Sequence, residues 1–351
     1  MSLHVQNEIQ VNRKFNALLF AGLGFLLFLL LLADIFLGSV HFSISQISDS
    51  ILGHNADSML NTIVWKFRMP KAITAILAGI ALSVSGLQMQ TIFRNPLAGP
   101  YVLGISSGAS LGVALVILGF SGLFHSASLT YLNRWTMVGA AWIGAASVLA
   151  IISVLSFRIR DIMTILILGM MFSGAASSIV TILQYFSNES LLKSFVIWTM
   201  GSLGGISQND LWVLFVALMP GFVLAILTIK PLNALLLGET YAITLGVNIR
   251  KVRILIFIST CILSGTVTAF CGPIGFIGVA VPHLCRMLFR TASHSILIPA
   301  SAIVGASVLL ASDLISQLPG SDITLPINSV TALVGIPVIV WIVIRNQRHL
   351  S

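Results

Sequence analysis

Charge is what this sequence has least of. Of 351 residues, 18 are Lys or Arg and 10 are Asp or Glu, 8% together, where a soluble domain carries about a quarter charged residues. That is too little to clothe a surface in water. With 57% hydrophobic residues and a mean hydropathy of +1.04, lipid is the natural solvent and the class is an integral membrane protein. The acidic residues stand singly, and no nucleophile, base and orienting partner occur at a recognisable spacing, so an intramembrane enzyme has no positive support. No glycine is followed by lysine, which excludes a G-x-x-x-x-G-K-[ST] phosphate cradle; any ATP hydrolysis must lie in another polypeptide. Cys261, Cys271 and Cys285 sit in apolar stretches without a C-x-x-C pair, so they read as packing residues rather than a zinc or disulfide framework. No Pro/Ser-rich linker or long polar block divides the chain. The net charge of +8 is spread thinly between apolar runs, as loop charges that orient a membrane protein are, and no nucleic-acid partner is expected.

What is present is apolar length. A helix needs about 20 residues to cross the hydrocarbon, and ten segments qualify, near 17–38, 72–92, 101–119, 135–157, 162–186, 211–229, 254–271, 274–289, 296–317 and 328–344; the third and eighth are short and rich in Gly. Arg13 and Lys14 precede an uncharged run from Ala17 to Ala33, but it continues through Asp34 to Leu37 without an A-x-A site and reads as an uncleaved first span. The expected organisation is a tail at 1–16, one all-α polytopic domain at 17–345 and a tail at 346–351. With the N-terminus in the cytoplasm, thirteen of the 18 basic residues fall inside: Arg13, Lys14, Arg94, Arg158, Arg160, Lys230, Arg250, Lys251, Arg253, Arg286, Arg290, Arg345 and Arg348. Lys66, Arg68, Lys71, Arg134 and Lys193 fall outside, a bias that puts both termini in the cytoplasm.

Glycines recur at helical spacing, as at Gly104, Gly108 and Gly112, or Gly201 and Gly205. In lipid such faces let helix backbones approach. Ala78-Gly79 to Gly86 in the second span parallels Ser264-Gly265 to Gly272 in the seventh. The two spans run in opposite senses, so a repeat here has inverted topology, as in many transporters.

Three blocks of motif follow one another. The first is Phe67-Arg68-Met69-Pro70-Lys71, Ala78-Gly79, Ser85-Gly86-Leu87-Gln88-Met89-Gln90, Asn95-Pro96-Leu97-Ala98-Gly99-Pro100 and Leu103-Gly104-Ile105-Ser106-Ser107-Gly108-Ala109. The second is Gly272-Pro273-Ile274-Gly275-Phe276-Ile277-Gly278, Val281-Pro282-His283 and Arg286, then Pro299-Ala300 and Asp313; the third is Leu325-Pro326-Ile327-Asn328, continuing to Gly335 and Pro337. In this order they resemble the FecCD/BtuC-type permeases, which import iron siderophores, haem and cobalamin, over nearly the whole chain.

The resemblance implies a ten-helix permease of type II ABC importer architecture in a homodimer or close heterodimer. Its partners would be two cytoplasmic ATPase chains, which bind ATP and Mg, and a periplasmic or lipid-anchored binding protein, all at the bacterial inner membrane; the permease itself holds no cofactor or metal. It also implies that Arg68 and Lys71 dock the binding protein; Gln317 stands where the family has a third arginine. The segment 230–253, with Gly238, Glu239, Arg250 and Lys251, would supply the coupling helices. Gly79, Gly86, Asn95, Pro96, Gly104, Gly108, Gly272, Pro273, Gly275 and Pro282 belong to the helix-packing and path motifs. His283 reads as a packing and hydrogen-bonding group, Asp313 as structural, and Asp34 as open between structural and functional roles. A ferric siderophore is the cargo put first, with haem and cobalamin as alternatives. The rival from another class is an ion-coupled secondary transporter, which would need midplane ionisable residues that the sequence does not display.

Overall fold

The structure is a computed structural model that describes residues 2–38, 42–52, 58–101, 103–119, 134–156, 162–317 and 324–347. Arg158, Arg160 and Arg348 of the orientation argument lie outside these residues. All regular structure among the described residues is helical. Helix α1 covers Ser2–Phe36, α2 Ile44–Leu52 and α3 Ser58–Thr62; a π-helical turn at Ile63–Arg68 leads into α4, Met69–Ile92. Then come α5 (Ile105–Ala114, widening to a π turn at Leu115–Gly119), α6 (Arg134–Ser156), α7 (Ile162–Tyr185), α8 (Glu189–Thr199) and α9 (Gln208–Leu227). The chain closes with α10 (Ile229–Leu236), α11 (Glu239–Thr244), α12 (Ile249–Cys271), α13 (Ile277–Phe289), α14 (His294–Ser316) and α15 (Ile327–Gln347).

Among the described residues seven helices are long and apolar enough to cross a membrane, and the apolar stretches Ile105–Gly119, Ile277–Phe289 and Ile327–Trp341 are shorter. Every expected span is helical in its main part, but the boundaries moved for physical reasons. The second span begins at Met59, not 72, because nothing breaks the helix before the π turn. The third and eighth start late, at Ile105 and Ile277, because Gly104 and Phe276 take positive φ of 79° and 67°. The surface helices α2 and α8 went unforeseen. They are too short and too polar for a hydropathy window to find; α8 is announced only by its cap, Asn188, whose Oδ1 accepts from Leu191 N at 3.0 Å.

Helices α4 and α14 form the spine of the bundle. They run antiparallel in strict register: Lys71 meets Asp313, Gly79 meets Gly305, Ser83 Oγ donates to Ser301 O at 2.7 Å, and Thr91 meets His294. At Gly79 and Gly305 each backbone lies against the other's carbonyl, and a Cβ on either would overlap it. Gly86 faces the carbonyl of Gly278 on α13 in the same way. That carbonyl is free because Pro282, four residues on, has no N–H to give it. Gly108 and Gly112 bring α5 equally close to Gly144 and Ala140 of α6.

The short helices explain the topology. From α4 the chain turns at Asn95-Pro96 and climbs back, so that Leu103 and Gly104 lie against Gly169 of α7 and Val148 of α6, part-way along both. From α12 it turns at Gly272-Pro273 and re-enters, so that Gly278 lies against Leu82 and Gly86, midway along α4. Irregular backbone at that depth is tolerated only when protein buries it. Here Gly275 N donates to Asn328 Oδ1 at 3.1 Å, and Gly335 leaves room for Phe276.

These relations repeat with inversion. Helix α4 packs on α13 and α14, and α12 packs on α5 and α6. Exchanging the second, third and fourth spans for the seventh, eighth and ninth therefore reproduces the contacts, with each pair reversed in direction. The matched glycines behave alike in part: Gly79 abuts α14, and Gly265 abuts Ala141 and Trp142 of α6. Gly79→Leu is expected to lower the thermal unfolding temperature in detergent through overpacking of about 1–3 kcal/mol. Gly22→Leu, on a face of α1 with open space around it, is expected to leave it unchanged.

Candidate functional site

At the end of the bundle away from α10 and α11, Arg68 and Lys71, expected to dock a binding protein, and Gln317, which stands where the family has a third arginine, all face partners within the chain. Arg68 is 6% exposed; its Nη1 donates to Ile35 O at 2.7 Å and Phe36 O at 3.2 Å, and its guanidinium lies 5.6 Å from the centre of the Phe42 ring. It thereby satisfies carbonyls at the C-terminus of α1 that have no helical partner. The π turn decides this direction, since one residue fewer would rotate Arg68 by about 100° around the helix. Lys71 Nζ pairs with Asp313 Oδ2 at 2.7 Å and lies 4.0 Å from Asp34 Oδ1. Gln317 Nε2 donates to both Asp34 Oδ1 and Asp313 Oδ2 at 2.9 Å. Asp34 is fully buried and Asp313 nearly so.

The network joins α1, α4 and α14, and its Lys71, Asp313 and Gln317 side form one wall of an open cleft of about 270 Å³ completed by Gly201, Ser202 and Leu325. The structure gives these side chains partners inside the chain, for a definite reason. Two carboxylates buried at one helix junction require cations, and Arg68 and Lys71 are the basic residues within reach. Sequence placed Asp34 and Asp313 at the same end but had no means of showing that they share one amide, Gln317.

At the opposite end lies the segment expected to couple. Gly238, with φ of 110°, breaks α10 from α11 in a conformation that L side chains avoid. Glu239 opens α11, where a negative charge suits the helix dipole, and its Oε1 accepts from Arg253 Nη2 at 3.3 Å. Arg250 and Arg253 line a cleft of about 240 Å³ beside Glu239, and Asn248 caps α12 there, its Oδ1 accepting from Lys251 N at 3.1 Å. Around these polar groups the segment exposes Leu236, Leu237, Tyr241, Ile243 and Leu245.

The last turns of α4 hold a polar cluster whose role the sequence did not reveal. Gln88 Nε2 donates to Thr228 Oγ1 at the junction of α9 and α10, and Gln88 Oε1 accepts from Ser259 of α12. Gln90 Nε2 donates to Val279 O, and Gln90 Oε1 accepts from Arg286, both on α13. Amides in an apolar run were a signal, because burying one without partners is costly. Which helices they bind needed the structure.

The path motifs separate into two tasks. Gly79, Gly86, Gly108 and Pro282 set helix approach, as above. Asn95, Pro96, Gly104, Gly272, Pro273 and Gly275 shape the two re-entrant loops; Asn95 Oδ1 accepts from Leu97 N at 2.8 Å, and the Pro96 backbone hydrogen-bonds His283. Between α5, α7 and α8 a cavity of about 250 Å³ is lined by Ser106, Ser107, Ser110, Ser177, Thr181 and Gln184. The three cysteines are buried apart from one another, and among the described residues no three His, Cys, Asp or Glu gather as metal ligands.

Comparison with known proteins gives this geometry a family. The hemin transport system permease protein HmuU of Yersinia pestis is 36% identical over 331 residues, covering 94% of this chain and 97% of the relative. The vitamin B12 import system permease protein BtuC of Klebsiella pneumoniae is 37% identical over 286 residues, covering 81% and 83%. A solved chain described as an inward-facing conformation of a metal-chelate type ABC transporter superposes with a TM-score of 0.78 at 31% identity, covering 93% of this chain and 99% of that one. PsaBC from Streptococcus pneumoniae shares the fold at a TM-score of 0.56 and 16% identity, covering 83% and 93%. The profile of the FecCD transport family matches residues 26–345, and the chain belongs to that family.

Proposed function

We propose that this chain is the membrane-spanning subunit of an ATP-driven importer that carries a metal chelate, a ferric siderophore first, from a binding protein to the cytoplasm by alternating access. The observation that carries this reading is the apolar surface of α10 and α11. Large exposed side chains on short helices outside the spans mark an interaction site, and Leu236, Leu237, Tyr241, Ile243 and Leu245 of this chain stand beside Glu239 and Arg253. In this reading an ABC ATPase covers them, and ATP and Mg belong to that partner; the permease is not an enzyme. The basic residues of α10 to α13 lie at this end and Lys66, Arg68 and Lys71 at the other, which favours both termini on the cytoplasmic side of a bacterial inner membrane. A second copy of the chain, a binding protein and lipid complete the surroundings. The hydroxyl-lined cavity at Ser106 and Ser177 offers weak, numerous hydrogen bonds along the path, which suits a bulky cargo that must leave again.

Reconstitution in vesicles with partner ATPase and binding protein tests the reading, using labelled ferric hydroxamate siderophore, haem and cobalamin in parallel. ATP-dependent accumulation of the siderophore is the expected result; accumulation of haem or cobalamin instead would overturn the cargo alone. Uptake without the ATPase, driven by an ion gradient, would establish the secondary-transporter rival.

Glu239→Arg places a cation at the N-terminus of α11 and against Arg253. It is expected to abolish most uptake while the assembled complex still purifies, and wild-type uptake would refute a coupling role for this glutamate.

The inward network alters what docking means at the other end. In this reading Arg68, Lys71 and Gln317 hold the docking surface in shape rather than reach across it. Lys71→Met leaves Asp34 and Asp313 facing each other, at an expected cost of about 3–5 kcal/mol for breaking a buried pair, and Lys71→Met/Asp313→Leu should recover part of it. Binding-protein association in the single variant should weaken without a change in salt dependence. A changed salt dependence with unchanged stability would instead indicate direct ion pairing.

A further inference from the structure

The start of α14 is held by a residue of another helix. Its N-cap, Ser293, makes no side-chain capping bond, so the first amide of the helix, His294 N–H, needs a partner. Asn233 of α10 supplies it: Asn233 Oδ1 accepts from His294 N at 2.7 Å. The same oxygen lies 3.0 Å from His294 Nδ1, and His294 Nε2 lies 2.8 Å from Thr91 Oγ1 on α4. His294 itself is 1% exposed, so water does not complete these contacts.

The bonding directions follow from which atoms can donate. An amide oxygen has no proton, so Nδ1 carries the ring proton and donates to Asn233; this tautomer is assigned from the hydrogen-bond network. In the neutral ring Nε2 is then an acceptor, and the Thr91 hydroxyl donates to it. That hydroxyl has one proton and a second acceptor, Leu87 O, at 3.0 Å. With Asn233 in place the proton is drawn to His294. If α10 withdraws, the Thr91 proton can return to its own helix. The chain therefore runs Thr91 to His294 to Asn233, one residue on each of three helices, and has two arrangements. Gln88 with Thr228 ties the root of α10 to α4 a turn further up, so α10 is joined to the spine at two points.

We infer that Asn233, His294 and Thr91 form a positioning relay through which movement of α10 and α11 is delivered to the α4–α14 pair. The inference rests on the reading of that segment as the ATPase-coupling element. None of the three residues touches cargo. They set how much of the partner's motion reaches the spine, whose far end is the Lys71, Asp313 and Gln317 wall of the open cleft.

The test is the ratio of chelate imported to ATP hydrolysed by the complete complex in vesicles, with the labelled chelate that the wild type imports. Thr91→Val keeps the shape and removes the hydroxyl. It is expected to cut that ratio by about fivefold or more, the lower range of a coupling free energy between sites, while the ATPase rate stays near wild type and the unfolding temperature falls only modestly, because the ring Nε2 loses its partner. Thr91→Ser should restore the ratio. Asn233→Ala should reproduce the loss, and Thr91→Val/Asn233→Ala should be no worse than either alone, the non-additivity of a shared chain. A wild-type ratio in Thr91→Val, additive losses in the double variant, or a loss that Thr91→Ser does not restore would overturn the relay while leaving the importer intact. A wild-type complex without ATP-driven uptake would sink the importer reading and the relay together.

Discussion

The structure depends on two backbones touching. In lipid, apolar side chains gain little by leaving the solvent, so helices associate through close packing and polar bonds. Where Gly79 of α4 meets Gly305 of α14, the absence of both side chains brings carbonyl and Cα into contact. That closeness sets the register from which Lys71 reaches Asp313 at one end and Thr91 reaches His294 at the other. Helix α13 is added by the same device at Gly86 and Gly278. The polar groups at the two ends then have fixed partners because the glycines between them allow no slippage.

Polar residues in this bundle serve as fasteners at depth and as signals at the ends. Gln88 and Gln90, fully and almost fully buried, use both sides of their amides, donor and acceptor: Gln88 ties α4 to the α9–α10 junction and to α12, and Gln90 holds α13 at two points. The carboxylates Asp34 and Asp313 are tolerated because Lys71, Gln317 and the neighbouring Arg68 surround them. The second re-entrant loop follows the same rule at the backbone level, since Asn328 takes up an amide that lipid would leave unsatisfied.

Much of the fold was legible in the sequence because hydropathy is a bulk property. The spans, their helical character, the short third and eighth helices and the inverted pairing of spans two and seven all appear as runs and spacings along the chain. The ordered motifs carried the family likewise. Less of the site was legible. Arg68 and Lys71 read as docking charges at the outer end of the second span, and their partners inside the chain, set by a π turn and by carboxylates distant in sequence, were not readable there. Local sequence did not announce the π turn, and Asp34 and Gln317, 283 residues apart, meet only through tertiary packing.

The sequence by itself therefore determined that this protein lives in lipid, how its helices are spaced, and which glycines permit contact, because each of these is set by local composition and the 3.6-residue period. Only the tertiary structure decided which charges pair, which groups each buried glutamine binds, and that Asn233 caps a helix 61 residues away. Those choices depend on which helices lie side by side, and in a membrane bundle several neighbours offer nearly equal apolar faces; the polar contacts that distinguish them exist only once the helices have met.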